Sequence, residues 1–183
     1  LRILGIDPGS HATGYGVVER RDGRLHHVAH GTLRPPRGAS LAARLDYLYR
    51  AVVDVLREHA PEVAAVEQVF VAASPRSALV LGQARGAVLS ALGAAGLGLS
   101  EYSAAEVKQA VAGSGRAGKR EVQRMVRRLL ELERTPSCDA ADALAVAIRH
   151  AHAGRLEAAG VSGAARRSRG ARRSLLVAVR PVR

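Results

Sequence analysis

The sequence predicts an α/β domain in which helices flank both faces of a mixed five-stranded sheet. Three observations predict it. The chain opens with three successive strand-like runs, the second and third joined by the hairpin dipeptide Asp22-Gly23. Two further short strands are expected, at residues 63–67 and 97–102, each preceded by a long stretch whose apolar residues recur at helical spacing. Val63-Ala64-Ala65-Val66 is apolar throughout, as strands buried between layers of helices are.

The elements follow in order. The first strand is apolar up to Asp7, where Pro8 and Gly9 turn the chain. The second, 13–20, carries Tyr15, Val17 and Glu19 on one side and Gly14, Gly16 and Val18 on the other. A third, antiparallel to it, covers 24–33 and ends before Pro35-Pro36 and Gly38. Ser40 is a good N-cap, and Leu41, Leu45, Leu48, Val52 and Leu56 predict a long helix that stops before Pro61. The strand after it ends in an acid, Glu67, as the first ends in Asp7. A loop over 68–75 holds Phe70, the only phenylalanine, and 77–95 read as a second long helix with Gly82 and Gly86 one turn apart. After the 97–102 strand, Ser103 caps a short helix carrying Lys108. Gly113, Gly115 and Gly118 make a flexible loop before Lys119 opens an amphipathic helix with Val122, Met125, Val126, Leu129 and Leu130 inward. Pro136 breaks the chain, and the last helix is expected from Asp139 to about His152.

This reads as one domain, 1–153, followed by a basic arginine-rich tail, 154–183. The tail's Gly, Ala, Ser and Arg content predicts that most of it is disordered, although 175–179 is apolar enough to pair as a strand. At 183 residues and 48% hydrophobic content the chain can bury a proper core, built mainly from Leu, Val and Ala because aromatics are only 3%. A single cysteine, Cys138, forms no internal disulfide and predicts a reducing, cytoplasmic setting. No apolar run approaches the roughly 18 residues expected of a membrane span, so no membrane association is expected. Net charge is +12, of which the tail holds +7, so the body is basic without it. That balance points to a polyanion as partner.

Four acids stand in apolar company: Asp7, Glu67, Asp139 and Asp142. An unpaired charge in a buried strand is costly, and meeting a cation is the inexpensive remedy. Asp139 and Asp142 are three apart and share one helical face, while Ala140, Ala143, Leu144, Ala147 and Ile148 face the core. An all-oxygen set suits Mg²⁺ or Mn²⁺, and the chain has no Cys/His pattern for zinc. Two ions about 3.5–4 Å apart would neutralise the four acids, activate a water and steady a leaving oxygen. Taken alone, Asp139 has a second reading as an acid favoured by a helix N-terminus, and Asp7 as a turn cap.

Ile6-Asp7-Pro8-Gly9 with Gly14-Tyr15-Gly16, Glu67-Gln68-Val69-Phe70, Gly82-Gln83-Ala84-Arg85-Gly86 and Asp139-Ala140-Ala141-Asp142-Ala143 together resemble the RuvC Holliday-junction resolvases. The likeness runs from Leu1 to about His152, with the motifs in the family's order and spacing. It implies a ribonuclease H-like fold, a cytoplasmic homodimer, and paired symmetric cuts in four-way junction DNA with two Mg²⁺ per site, Mn²⁺ substituting. It further implies that Asp7, Glu67, Asp139 and Asp142 are the catalytic, metal-binding acids. Phe70 matches a phenylalanine that stacks on bases near the junction centre, and Lys108 and Lys119 match contacts near the cut phosphate. Arg76 and Arg85 are candidates for backbone phosphates, with surface solubility the alternative for each. Gly82 and Gly86 allow close helix pairing, either across a dimer axis or within the subunit. The RuvA–RuvB branch-migration complex is the implied partner assembly.

Three other readings fit parts of the sequence. One keeps the fold and makes the substrate RNA or other branched DNA. Another takes Gly5-Ile6-Asp7-Pro8-Gly9 as the phosphate turn of actin-like ATPases, which need far more chain than 183 residues. The third is a junction-binding module without catalysis, which gains nothing from four acids facing phosphate.

Overall fold

A computed structural model describes residues 1–9, 11–68 and 74–158, the side chains of 154–158 excepted. Five strands form one sheet in the order β3-β2-β1-β4-β5. These are β1 (Arg2–Asp7), β2 (Thr13–Arg21), β3 (Arg24–Leu33), β4 (Val63–Glu67) and β5 (Gly98–Tyr102). The first three form an antiparallel meander, and β4 and β5 run parallel to β1. Asp22 and Gly23 both adopt positive φ, 52° and 78°, as a two-residue hairpin turn of the mirror-image type requires. The carboxyl ends of β1, β3, β4 and β5 therefore share one edge of the sheet, which carries Asp7, Leu33, Glu67 and Tyr102.

The helices are α1 (Leu41–His59), α2 (Pro75–Ala94), α3 (Ala104–Ala112), α4 (Lys119–Leu129) and α5 (Cys138–Ala158). Ser40 caps α1 by accepting from the Ala43 amide. Ser103 and Glu106 form a complete capping box on α3, and Gly113 ends that helix in the left-handed conformation (φ 74°). α5 outruns its expected end near His152. Good helix formers surround the single Gly154 and outweigh its cost of about 1 kcal/mol. The expected disorder of the tail and the strand at 175–179 concern residues that, from 159 on, lie outside the described chain.

Side-chain alternation divides the core in two. Leu4, Ile6, Val17, Ala64 and Val66 face α1 and α2, while Ile3, Val18 and Ala65 face α5, with α3 and α4 packed beyond it. Every residue of α5 from Ala143 to Ile148 is fully buried. This helix sits unusually close to the sheet because three strand positions have no side chain. A Cβ on Gly5 would lie 2.2 Å from the Ala143 carbonyl oxygen, and one on Gly14 1.9 Å from that of Asp139. On Gly16 it would lie 2.7 Å from Leu144.

For α2, one of the two alternatives for its glycines finds no support. Gly82 and Gly86 are exposed, and a Cβ on either would meet nothing within 4 Å among the described residues, so neither serves packing against any of those residues. By length and composition alone α2, 20 residues long, could cross a membrane, but Arg76 and Arg85 interrupt its apolar residues, in keeping with the absence of an unbroken apolar run of that length. α2 packs on α1 and buries Ala84, Val88, Ala91 and Leu92, leaving Leu79 64% exposed.

Candidate active site

The site forms where the sheet's carboxyl edge meets the start of α5. Neighbouring parallel strands bring Asp7 and Glu67 to that edge, with Ile6 level with Val66. The glycines under α5 let Asp142 come down beside them, one turn into the helix. Asp7, Glu67 and Asp142 line one cleft of about 280 Å³ with Lys108 from α3 and Lys119 from α4, walled by Val107 and Val122. Lys108 and Lys119 are the chain's only two lysines, and both are here. A compact ammonium suits a point contact better than the guanidinium used elsewhere in the chain.

The carboxyls strain against one another. Burial, then Glu67, Asp142 and Asp139, push Asp7 from 3.8 up to about 8, with Lys119 opposing. Burial followed by Asp142 raises Glu67, against Lys108 and Lys119. Burial also raises Asp142, where Lys119 and Lys108 oppose and Asp139 adds to the rise. A cluster of acids held above their ordinary range by apolar surroundings and mutual repulsion is a frequent mark of a functional site.

Asp139 stands apart from the other three. Its Oδ2 accepts from the Arg34 guanidinium at 3.1 Å, and it does not line the cleft. Arg34 follows β3 and is 105 positions away in sequence, so no local pattern pointed to it. The same strand end steadies the start of α5: Thr32 Oγ1 lies 3.2 Å from Ser137 Oγ, which accepts from the Ala140 amide. Cys138 accepts from Gln123 Nε2 at 3.4 Å, in keeping with a structural part for the thiol.

The remaining expected residues fall in three places. Arg76 is exposed in the first turn of α2. Arg85 is engaged within the subunit by Glu101 of β5, and its side chain is only 22% exposed. Phe70 lies outside the described residues.

Hard carboxylate oxygens fit a hard divalent cation, and Asp7, pushed up to about 8, is a group that a cation would relieve. The acids are not gathered tightly enough to share an ion as they stand. Among the described residues no three carboxylate, imidazole or thiolate side chains converge at ligand distance. The Arg34 pair accounts for one of the four.

Comparison with known proteins then decides the family. The sequence profile of the family described as crossover junction endodeoxyribonuclease RuvC matches residues 3–150. This chain belongs to that family. The RuvC of Alkalilimnicola ehrlichii is 55% identical over 157 residues, covering 86% of this chain and 94% of its own length. The RuvC of Burkholderia vietnamiensis is 54% identical over 154 residues, covering 84% and 85%. Among solved structures, T. thermophilus RuvC in complex with a Holliday junction substrate superposes with a TM-score of 0.80 at 35% identity, covering 86% of this chain and 96% of that one. The ribonuclease H-like RuvC fold expected from the sequence is thus the fold observed, and the RuvC relatives extend over nearly all of its described residues.

Proposed function

We propose that this protein is a metal-dependent endonuclease that resolves four-way DNA junctions by paired symmetric cuts, in homologous recombination and DNA repair. The observation that carries the reading is the cleft in which Asp7, Glu67 and Asp142 meet the chain's only two lysines. A relative of this family has been solved with a Holliday junction, and a net charge of +12 suits a DNA partner.

In this reading Asp7, Glu67, Asp139 and Asp142 are the catalytic carboxylates and would hold two Mg²⁺, with Mn²⁺ able to substitute. The bound ions would supply an activated water and charge stabilisation at the departing oxygen. Asp7 gives up its proton on taking up this role, because it otherwise retains one near neutral pH. Asp139 leaves Arg34 to join the other three. Lys108 and Lys119 face the cut phosphate across the cleft and hold Glu67 and Asp142 towards their ionised forms. Phe70 stacks on a base beside the junction centre, a contact worth roughly 1–3 kcal/mol. Arg76 touches backbone phosphate, whereas Arg85 serves the subunit through Glu101. A second copy pairs across α2, whose exposed Leu79, Gly82 and Gly86 offer a smooth apolar face. Two-fold pairing supplies the second site that the second cut needs. The RuvA–RuvB complex is the partner assembly this function calls for, in the cytoplasm.

The test is cleavage of a synthetic mobile four-way junction in Mg²⁺, with RNA hairpins as the competing substrate. Wild type is expected to give paired, ligatable nicks. Asp7→Asn should bind the junction while cutting at least about 10²–10³-fold more slowly. Cleavage of RNA in preference to the junction, or unimpaired cutting by Asp7→Asn, would overturn the reading.

A further inference from the structure

Arg149 and His150 follow one another on α5, and both engage Tyr102, the last residue of β5. The Arg149 guanidinium carbon lies 4.6 Å from the centre of the Tyr102 ring. The Tyr102 hydroxyl and His150 Nδ1 are 2.9 Å apart, with the two rings tilted by 59°. Tyr102 is 9% exposed and belongs to the core, so the end of β5 is clasped against α5. Arg149 is not among the residues that line the acid cleft. Its side chain is nevertheless only 21% exposed, held in place rather than loose in solvent.

Two connections lead from this clasp into the site. Glu67 is level with Tyr102 in the sheet, and the Tyr102 carbonyl oxygen accepts from the next amide, that of Gln68, at 2.8 Å. The chain then passes from Tyr102 to Ser103, the cap of α3, and the second turn of that helix brings Lys108 to the cleft. Arg149 reaches the start of α3 as well, with Nη2 3.8 Å from Glu106 Oε1. The other carboxylate oxygen of Glu106 accepts from the Ser103 amide and hydroxyl at 2.8 and 2.7 Å. Asp142 stands seven positions before Arg149, two turns away on the same face of α5. One guanidinium thus ties the helix of Asp142 to the helix of Lys108 and to the strand end beside Glu67.

We propose that Arg149 is a positioning residue for the cutting reaction: by clasping Tyr102 and Glu106 it fixes where Lys108 stands across the cleft from Asp142 and Glu67. This rests on the junction-nuclease reading. Arginine suits the task because its planar, permanently charged group can lie on an aromatic face and meet a carboxylate at once. A lysine at the same place supplies only a point charge.

Single-turnover cutting of a mobile four-way junction in Mg²⁺ by the full-length protein tests it, with junction affinity measured alongside. Arg149→Ala should cut more slowly by up to about 10²-fold, the loss that misplacing a reacting group by about 1 Å can cause, with affinity largely kept. Arg149→Lys should recover part of the rate. Glu106→Gln keeps the capping box, which takes Glu or Gln alike, and removes only the charge that Arg149 meets, so it should slow cutting without disturbing the fold. Val52→Ala weakens the core on the other face of the sheet and should lower the unfolding midpoint while leaving the rate intact. The deciding comparison is the double variant. If Arg149 acts through Lys108, then Lys108→Ala with Arg149→Ala cuts no more slowly than Lys108→Ala alone. Losses that multiply in the double variant, or unimpaired cutting by Arg149→Ala, would overturn the positioning role and leave the nuclease reading standing. Wild type that fails to cut junctions would remove both.

Discussion

Lys119 shows how much a single side chain can set at this site. Its ammonium opposes the rise of Asp7, Glu67 and Asp142, three of the four acids proposed to hold the cations. Removing it lets all three climb. Lys119→Ala is therefore expected to move the acidic limb of the cleavage–pH profile to higher pH, and to slow cutting at the optimum by roughly 10²-fold. An unmoved limb would mean that the lysine acts on the substrate alone. Arg34 acts in the opposite sense, holding Asp139 out of the cleft by a pair that is half open to solvent. Such a pair is worth about 0–1 kcal/mol and can be exchanged for another partner at little cost.

At the scale of elements, the decisive feature is the contact between α5 and the glycines of β1 and β2. Gly14 leaves no room for a methyl group, since its Cβ would overlap the Asp139 carbonyl. Gly14→Ala must push the start of α5 away from the sheet, taking Asp139 and Asp142 with it. Overpacking of this kind costs typically about 1–3 kcal/mol. The expected result is a lowered unfolding midpoint together with loss of cutting, with junction affinity largely kept. A variant as stable and as active as wild type would show that α5 does not depend on this approach. The glycine spacing was visible in the sequence, but its purpose was not. Alternation placed Gly14, Gly16 and Val18 on one face, and only the packed helix shows what lies against that face.

For the whole molecule, the acid cluster links function to stability. Asp7 is raised on folding, so between its ordinary 3.8 and about 8 the native state holds a proton that the unfolded chain has released. Stability must then fall as pH rises through that window. His27 and His30 are lowered by burial and act in the opposite direction, but only below their ordinary 6.5. The window from pH 7 to about 8.5 isolates the acids. Urea unfolding in EDTA is expected to show stability declining there by up to about 1.4 kcal/mol per pH unit. Asp7→Asn should flatten the decline, and Mg²⁺ should reverse it for wild type. A flat profile for metal-free wild type would mean that Asp7 is far less strained than its surroundings imply.

The sequence by itself determined the strands and helices, the hairpin, the caps and the identity of the strained acids. Periodicity, turn chemistry and an acid at the end of an apolar run are properties of short windows of chain. It could not show that Asp139 is held by Arg34, that the two lysines share one cleft with three acids, or that Arg85 is taken by Glu101. Nor could it bring Arg149 onto Tyr102 and Glu106, or leave Gly82 and Gly86 on an open face. Those are contacts between elements distant in sequence. They are decided when α5 settles onto the glycine floor of the sheet and fixes what every neighbouring side chain can reach.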